Sequence, residues 1–155
     1  MHVLVVNSGS SSIKFRLVEV VEEPTGALTS RSALLQGVVK GIGEVASVEV
    51  TGQDVHRSTT AVEIRDHAHA LRVLFDHLSG SLRAINAVGH RVVHGGDRYV
   101  EPTLITEQVE AGIDRLAELA PLHNPSCLAG IRGARAILDS ALPWISVGGL
   151  CGRGG

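Results

Sequence analysis

At 155 residues, 44% of them apolar, the chain has the size of one ordinary domain and enough apolar matter for a core. A net charge of −2 and a pI near 6.4 give no electrostatic footing for nucleic acid or an anionic membrane. The early apolar run, residues 3–6, is too short for a signal-peptide core or a membrane span. Cys127 and Cys151 form neither a metal spacing nor a disulfide framework, so a reduced, cytoplasmic protein is expected.

Apolar stretches at 3–7 and 13–21 flank a small polar turn, which predicts an antiparallel hairpin. That turn holds more than a hairpin needs. Asn7, Ser8, Gly9, Ser10, Ser11, Ser12 and Lys14 supply hydroxyls, backbone N–H groups and an ammonium, the groups that hold phosphate. The plainer reading is a Ser-rich hairpin. No Gly-Lys-Ser/Thr closes the segment, so it is not a Walker A loop, and it leads into a strand rather than a helix. Residues 22–26 form a second turn. Stretches 34–39 and 45–50 read as strands with Gly41 and Gly43 between them, and 61–64 as a short strand. With only Phe15, Phe75, Tyr99 and Trp144 as aromatics, the core must be built from Val, Leu, Ile and Ala.

Helical periodicity begins after Asp66, a natural cap, with Leu71, Leu74, Phe75 and Leu78 on one face and Gly80 as a stop. His67, His69 and His77 read as solvated or packing residues of that helix. Residues 85–93 predict a strand. Residues 107–119 predict a helix, with Val109, Ile113, Leu116 and Ala120 on one face. Asn124 followed by Pro125 predicts a cap and first helical position, and Leu128, Ile131, Ala134 and Leu138 continue that helix. Strands followed by strand–helix alternation predict an α/β fold, a mixed sheet with packed helices. After Pro143 the pattern fails. Trp144 to Val147 could open another strand, but it runs into a Gly/Arg-rich end.

Two further segments carry chemistry. In Gly-His-Arg-Val-Val-His-Gly-Gly-Asp-Arg at 89–98, alternation sets His90, Val92 and His94 on one face and Arg91 and Val93 on the other. Arginine's fork suits a carboxylate or phosphoryl group. The histidines read as packing and hydrogen-bonding residues near a sheet edge, since their spacing and lack of a third ligand argue against metal. Asp97 and Arg98 pair or face water. In Leu-Ala-Pro-Leu-His-Asn-Pro at 119–125, two prolines hold His123 stiffly before a helix. A rigid histidine there can meet an anion, or it can be a plain loop residue, and the sequence leaves both open.

These three segments in this order resemble the acetate kinase family, over residue 1 to about 143. The resemblance implies the N-terminal domain of a two-domain kinase of the actin, hexokinase and heat-shock ATPase superfamily. Such enzymes move a phosphoryl group reversibly between ATP and acetate, giving ADP and acetyl phosphate, with Mg2+. Position by position it implies a phosphate and nucleotide site at Asn7, Ser10, Ser12 and Lys14, with Asn7 also near the metal. It implies Arg91 and His123 as catalytic residues, and Val93 and Leu122 beside Arg91 around the acetate methyl. It also implies a homodimer.

The departures shape the remaining expectations. The family continues into a strand ending Phe-Asp-Thr whose acid helps hold the metal. Here the stretch is Ile-Ser-Val-Gly-Gly at 145–149. The expected organisation is an acetate kinase-like domain at 1–143 and an aberrant or truncated tail at 144–155, with the C-terminal nucleotide domain absent. A partial enzyme is expected, with three alternatives: a silent fragment that binds phosphate or acetate weakly, a half-enzyme completed by a separate chain, or a propionate kinase of the same family.

Overall fold

The computed structural model of the protein describes residues 1–52, 56–78, 84–92, 99, 101–118, 121–138 and 141–148. Strands β1 (His2–Ser8), β2 (Ser12–Glu22), β3 (Leu28–Lys40), β4 (Val45–Gly52) and β5 (His56–Glu63) form an antiparallel meander. Then come α1 (His67–His77), β6 (Ile85–Val92), a two-residue β7 (Thr103–Leu104), α2 (Glu107–Arg115), α3 (Asn124–Arg135) and β8 (Trp144–Gly148). The sheet order is β5-β4-β3-β2-β1-β6-β8-β7, with β1, β6 and β8 mutually parallel. The expected α/β fold with a mixed sheet is the one observed.

Local chemistry explains the elements. Asp66 caps α1 by accepting the His69 N–H at 2.7 Å, and that bond holds its carboxyl below the usual carboxylate range. Thr106 caps α2 by accepting the Val109 N–H. Gly41 has φ of +82°, the left-handed value the β3–β4 turn requires. The stripes read from the sequence are buried as expected: Leu71, Leu74, Phe75 and Leu78 from α1, and Leu128, Ile131, Ala134 and Leu138 from α3. They pack on Leu4, Val6, Ile13, Phe15 and Leu17. Each large side chain so buried contributes roughly 1.5–3 kcal/mol. Both α1 and α3 lie on one face of the sheet, α1 over β2–β4 and α3 over β1 and β6.

Two expectations are corrected. Asn124 is not the cap of α3; His123 is, and Asn124 opens the helix with its buried side-chain amide donating to the Ile113 carbonyl. The helix after Thr106 stops at Arg115 and tightens into a 3₁₀ turn, Leu116–Glu118. The strand that Trp144 to Val147 could open is formed: Trp144–Gly148 is inserted between β6 and β7, with Trp144 and Ser146 buried. Arg135 lies over the Trp144 ring, 5.3 Å from the centroid.

Candidate active site

Because β1, β6 and β8 are parallel, their carboxyl ends share one edge of the sheet, where ligands of α/β proteins collect. Alternation sorts the side chains at that edge. Leu4, Val6, Ser8, Ile13, Phe15, Val88, His90 and Val92 face the helices and are buried. Val5, Asn7, Lys14, Arg16 and Arg91 face the other way, where no described helix lies. Asn7 and Lys14 are direct cross-strand partners, which sets their Cβ atoms about 5 Å apart. Val6 partners His90, so Arg91 stands beside Asn7 at the next position. An amide, an ammonium and a guanidinium thus form a row across β2, β1 and β6. Lys14 and Arg91 are exposed, with no ion-pair partner among the described residues. A hollow of about 400 Å³, lined by Asn7, Lys14, Arg16, Val38, Lys40 and Glu49, opens on the same face. The row gathers positive charge of the kind that suits an anion.

The turn at 9–11 projects from the same edge. Ser10 is exposed and Ser12 half-buried, so both hydroxyls lie at or near solvent. Behind the turn sits a buried polar pair. The His90 Nδ1 lies 2.9 Å from the Arg91 carbonyl, which can only accept, so Nδ1 carries the proton. Nε2 is then an acceptor, and the Ser8 hydroxyl donates to it at 3.2 Å. Burial pushes the His90 pKa down to about 4, the bond to the Arg91 carbonyl opposing this only in part. His90 is therefore a neutral strut inside the sheet, in line with the packing role expected of it. Its strand, β6, lies inside the sheet between β1 and β8 rather than at an edge.

α3 starts at this same edge. Cys127, in its first turn, directs its thiol to the Ser8 carbonyl at 3.8 Å. Gly130 follows one turn later, and a Cβ there would fall 1.9 Å from the Ser8 Oγ and 2.8 Å from the His90 Nε2. Only glycine lets α3 lie this close to β1 and β6. His123 and Leu122 immediately precede the helix, at its end nearest that edge. The His123 side chain is exposed and makes no capping bond. Leu122 is 72% exposed. Val93, His94, Asp97 and Arg98 lie outside the described residues.

For a divalent cation, Asn7 offers one neutral amide oxygen, and its neighbours Lys14 and Arg91 are cations. No cluster of three or more His, Cys, Asp or Glu forms among the described residues. A Mg2+ ion bound here would take most of its ligands from phosphate oxygens and water, with Asn7 as a single protein ligand.

Two residues play parts that their local pattern does not give them. Ser8, counted with the phosphate-holding groups of the turn, is instead turned inward by the alternation of β1 and buried against His90. His67 reads as a solvated or packing residue of α1, and its Nε2 lies 2.7 Å from the Gly9 carbonyl in the turn. Nothing in the local pattern of either residue announces the long-range contact.

Among known proteins the chain is similar to the acetate kinase of Staphylococcus carnosus, 41% identical over 150 residues, covering 94% of this chain and 35% of that protein. It is 37% identical over 153 residues to the acetate kinase of Staphylococcus aureus strain NCTC 8325. Its fold superposes on a propionate kinase from Francisella tularensis with a TM-score of 0.79 at 31% identity, covering 95% of this chain and 36% of that one. The acetate kinase of Porphyromonas gingivalis gives the same TM-score and identity, covering 95% and 37%. The chain thus spans about a third of the length of the relatives it matches. With the family model described as Acetokinase family matching residues 2–147, the chain belongs to the acetokinase family.

Proposed function

We propose that this chain carries the phosphate- and carboxylate-binding half of an acetate kinase-type phosphotransferase, ATP + acetate giving ADP + acetyl phosphate. One observation carries the reading: Lys14, Asn7 and Arg91 in a row on one open face, at the carboxyl ends of parallel strands, the cations without ion-pair partners among the described residues. In this reading Lys14 and the hydroxyls of Ser10 and Ser12 hold the terminal phosphates. Arg91 clamps the carboxylate or the transferring phosphoryl group with two parallel donors. His123 donates a hydrogen bond to the same group from the helix side, and Val93 and Leu122 border the methyl. Asn7 lends its amide oxygen to Mg2+, which would neutralise phosphate charge. Phosphoryl transfer needs positioning and charge neutralisation more than covalent chemistry, and this row of groups offers both.

The finer attributes follow from the same reading: ATP as co-substrate, a cytoplasmic setting and a homodimeric whole. Among the described residues no helix is long and apolar enough to cross a membrane. Propionate is the second acyl substrate to test, because the Francisella tularensis neighbour bears that name. The experiment is a titration of the 155-residue chain with inorganic phosphate and, separately, with acetate, following backbone amide resonances. Phosphate is expected to move the amides of Asn7, residues 9–14 and Arg91. Lys14→Ala and Arg91→Ala should each weaken binding about tenfold, the size of one lost charge-assisted hydrogen bond. Shifts confined to other regions, or affinity indifferent to both substitutions, would refute the reading.

A further inference from the structure

We propose that His67 is a positioning residue: its imidazole holds the Gly9 carbonyl and thereby keeps the turn at 9–12 in a form that presents donors, not acceptors, to an anion. This rests on the reading of the 7–14 segment as a phosphate site. The problem the turn must solve is electrostatic. Every residue in it brings one N–H and one carbonyl oxygen, and a carbonyl aimed at the ligand would repel phosphate.

The structure ties those carbonyls back into the fold from three sides. The Ser11 carbonyl accepts from Gly41 N–H at 2.9 Å and Ile42 N–H at 3.0 Å, both in the β3–β4 turn. The Ser12 carbonyl accepts from Gly9 N–H at 2.7 Å, closing the turn on itself. The Ser8 carbonyl faces the Cys127 thiol. The Gly9 carbonyl is taken by His67, 58 residues away at the first position of α1, at 2.7 Å. A carbonyl only accepts, so the His67 Nε2 must carry a proton. Among the described residues no protein acceptor takes the N–H of Ser10 or Ser11. Four carbonyls in and beside the turn, those of Ser8, Gly9, Ser11 and Ser12, are thus engaged within the fold, while the N–H groups of Ser10 and Ser11 are left for a ligand.

His67, like Cys127, anchors the turn through its side chain, which can be removed without touching the backbone. It is half-buried, so its loss leaves the Gly9 carbonyl without that partner rather than cleanly rehydrated. α1 itself does not depend on it, since the helix is capped by Asp66 and held by Leu71, Leu74 and Phe75.

The test compares wild type, His67→Phe and His67→Gln in the full 155-residue chain. Phenylalanine keeps the ring and removes the donor; glutamine places an amide N–H near the Nε2 position. Two quantities are read: hydrogen exchange of the amides at 9–12 without ligand, and the dissociation constant for inorganic phosphate. His67→Phe is expected to raise exchange and weaken phosphate binding, each by about tenfold, while His67→Gln recovers wild-type behaviour within about threefold. Melting temperatures should agree across the three, which separates local positioning from general damage. Unchanged exchange and affinity in His67→Phe would overturn the proposal, as would equal loss in His67→Gln and His67→Phe. If phosphate shifts nothing in the wild-type turn but His67→Phe still frees its amides, the tether stands and the phosphate reading falls.

Discussion

At the scale of single residues, the site depends on groups that never meet solvent. His90 is held neutral, with its pKa near 4 against an ordinary 6.5. The sign of its effect on stability follows by linkage. Above about pH 6.5 neither folded nor unfolded imidazole binds a proton, and its contribution is constant. Between 6.5 and 4 the unfolded chain takes up a proton that the native chain refuses, so stability falls by about 1.4 kcal/mol per pH unit. Below about 4 both forms bind it and the loss levels off. The difference in urea midpoint between wild type and His90→Gln, followed from pH 7.5 to 4.5, should trace this slope; a difference independent of pH would contradict it. Gly130 gives a second prediction in which two effects compete. Alanine favours an exposed helix interior by up to about 1 kcal/mol over glycine. Here the new Cβ would sit 1.9 Å from the Ser8 Oγ, and overpacking of that kind costs about 1–3 kcal/mol or more. Gly130→Ala should therefore destabilise, and a raised melting temperature would show that α3 is freer to move than its contacts imply.

At the scale of elements, what was legible in the sequence followed from periodicity and caps. The stripe after Asp66, the hairpin around the polar turn and the strand through Arg91 each carry their pattern within about a dozen residues. What stayed hidden depends on contacts across the chain. β8 reads from the sequence only as a stretch that could open a strand beside a pattern-free end, and only its place between β6 and β7 gives it a role. His67 and Ser8 became part of the site because α1 and β6 lie where they do. The start of α3 was misread by one position because Asn124 fits a cap by type, whereas its amide is used against Ile113 instead. Arg135 shows how such a late element is tied in. It bonds the Glu110 carboxylate of α2 and the Ile105 carbonyl while lying over Trp144 of β8. Glu110 is largely buried, at 13% exposure, and Arg132 Nε also reaches it at 3.4 Å, so losing Arg135 leaves a poorly hydrated charge with only its longer, more exposed partner. Arg135→Met should cost about 2–4 kcal/mol, and Arg135→Lys should recover only part, because one ammonium cannot reach both acceptors with a fork. Full recovery by lysine in chemical denaturation would show that charge alone matters there.

At the scale of the whole molecule, binding and turnover should separate. The described residues bring together an ammonium, a guanidinium and an amide on one face, with a donor-rich turn beside them. They place no acid opposite or adjacent to Asn7 in the sheet, where Lys14 and Arg91 stand. Metal neutralisation and donor positioning account for much of the rate in phosphoryl transfer, and each is worth several kcal/mol of barrier. Residues 1–155 on their own should therefore bind inorganic phosphate yet form no acetyl phosphate from ATP, acetate and Mg2+ above background, a deficit of many orders of magnitude. Trapping acetyl phosphate as the hydroxamate measures this directly. Turnover that disappears with Arg91→Ala would mean that the row of groups suffices for catalysis, and the division of labour drawn here would be wrong. A silent chain whose phosphate affinity still falls in Lys14→Ala and Arg91→Ala would place these residues in binding and leave the chemical step to groups beyond them. The same pair of measurements on His123→Ala then separates its two readings. Weakened phosphate binding with an unchanged melt makes it an anion donor, whereas unchanged binding makes it a plain loop residue before α3, whose side chain makes no capping bond.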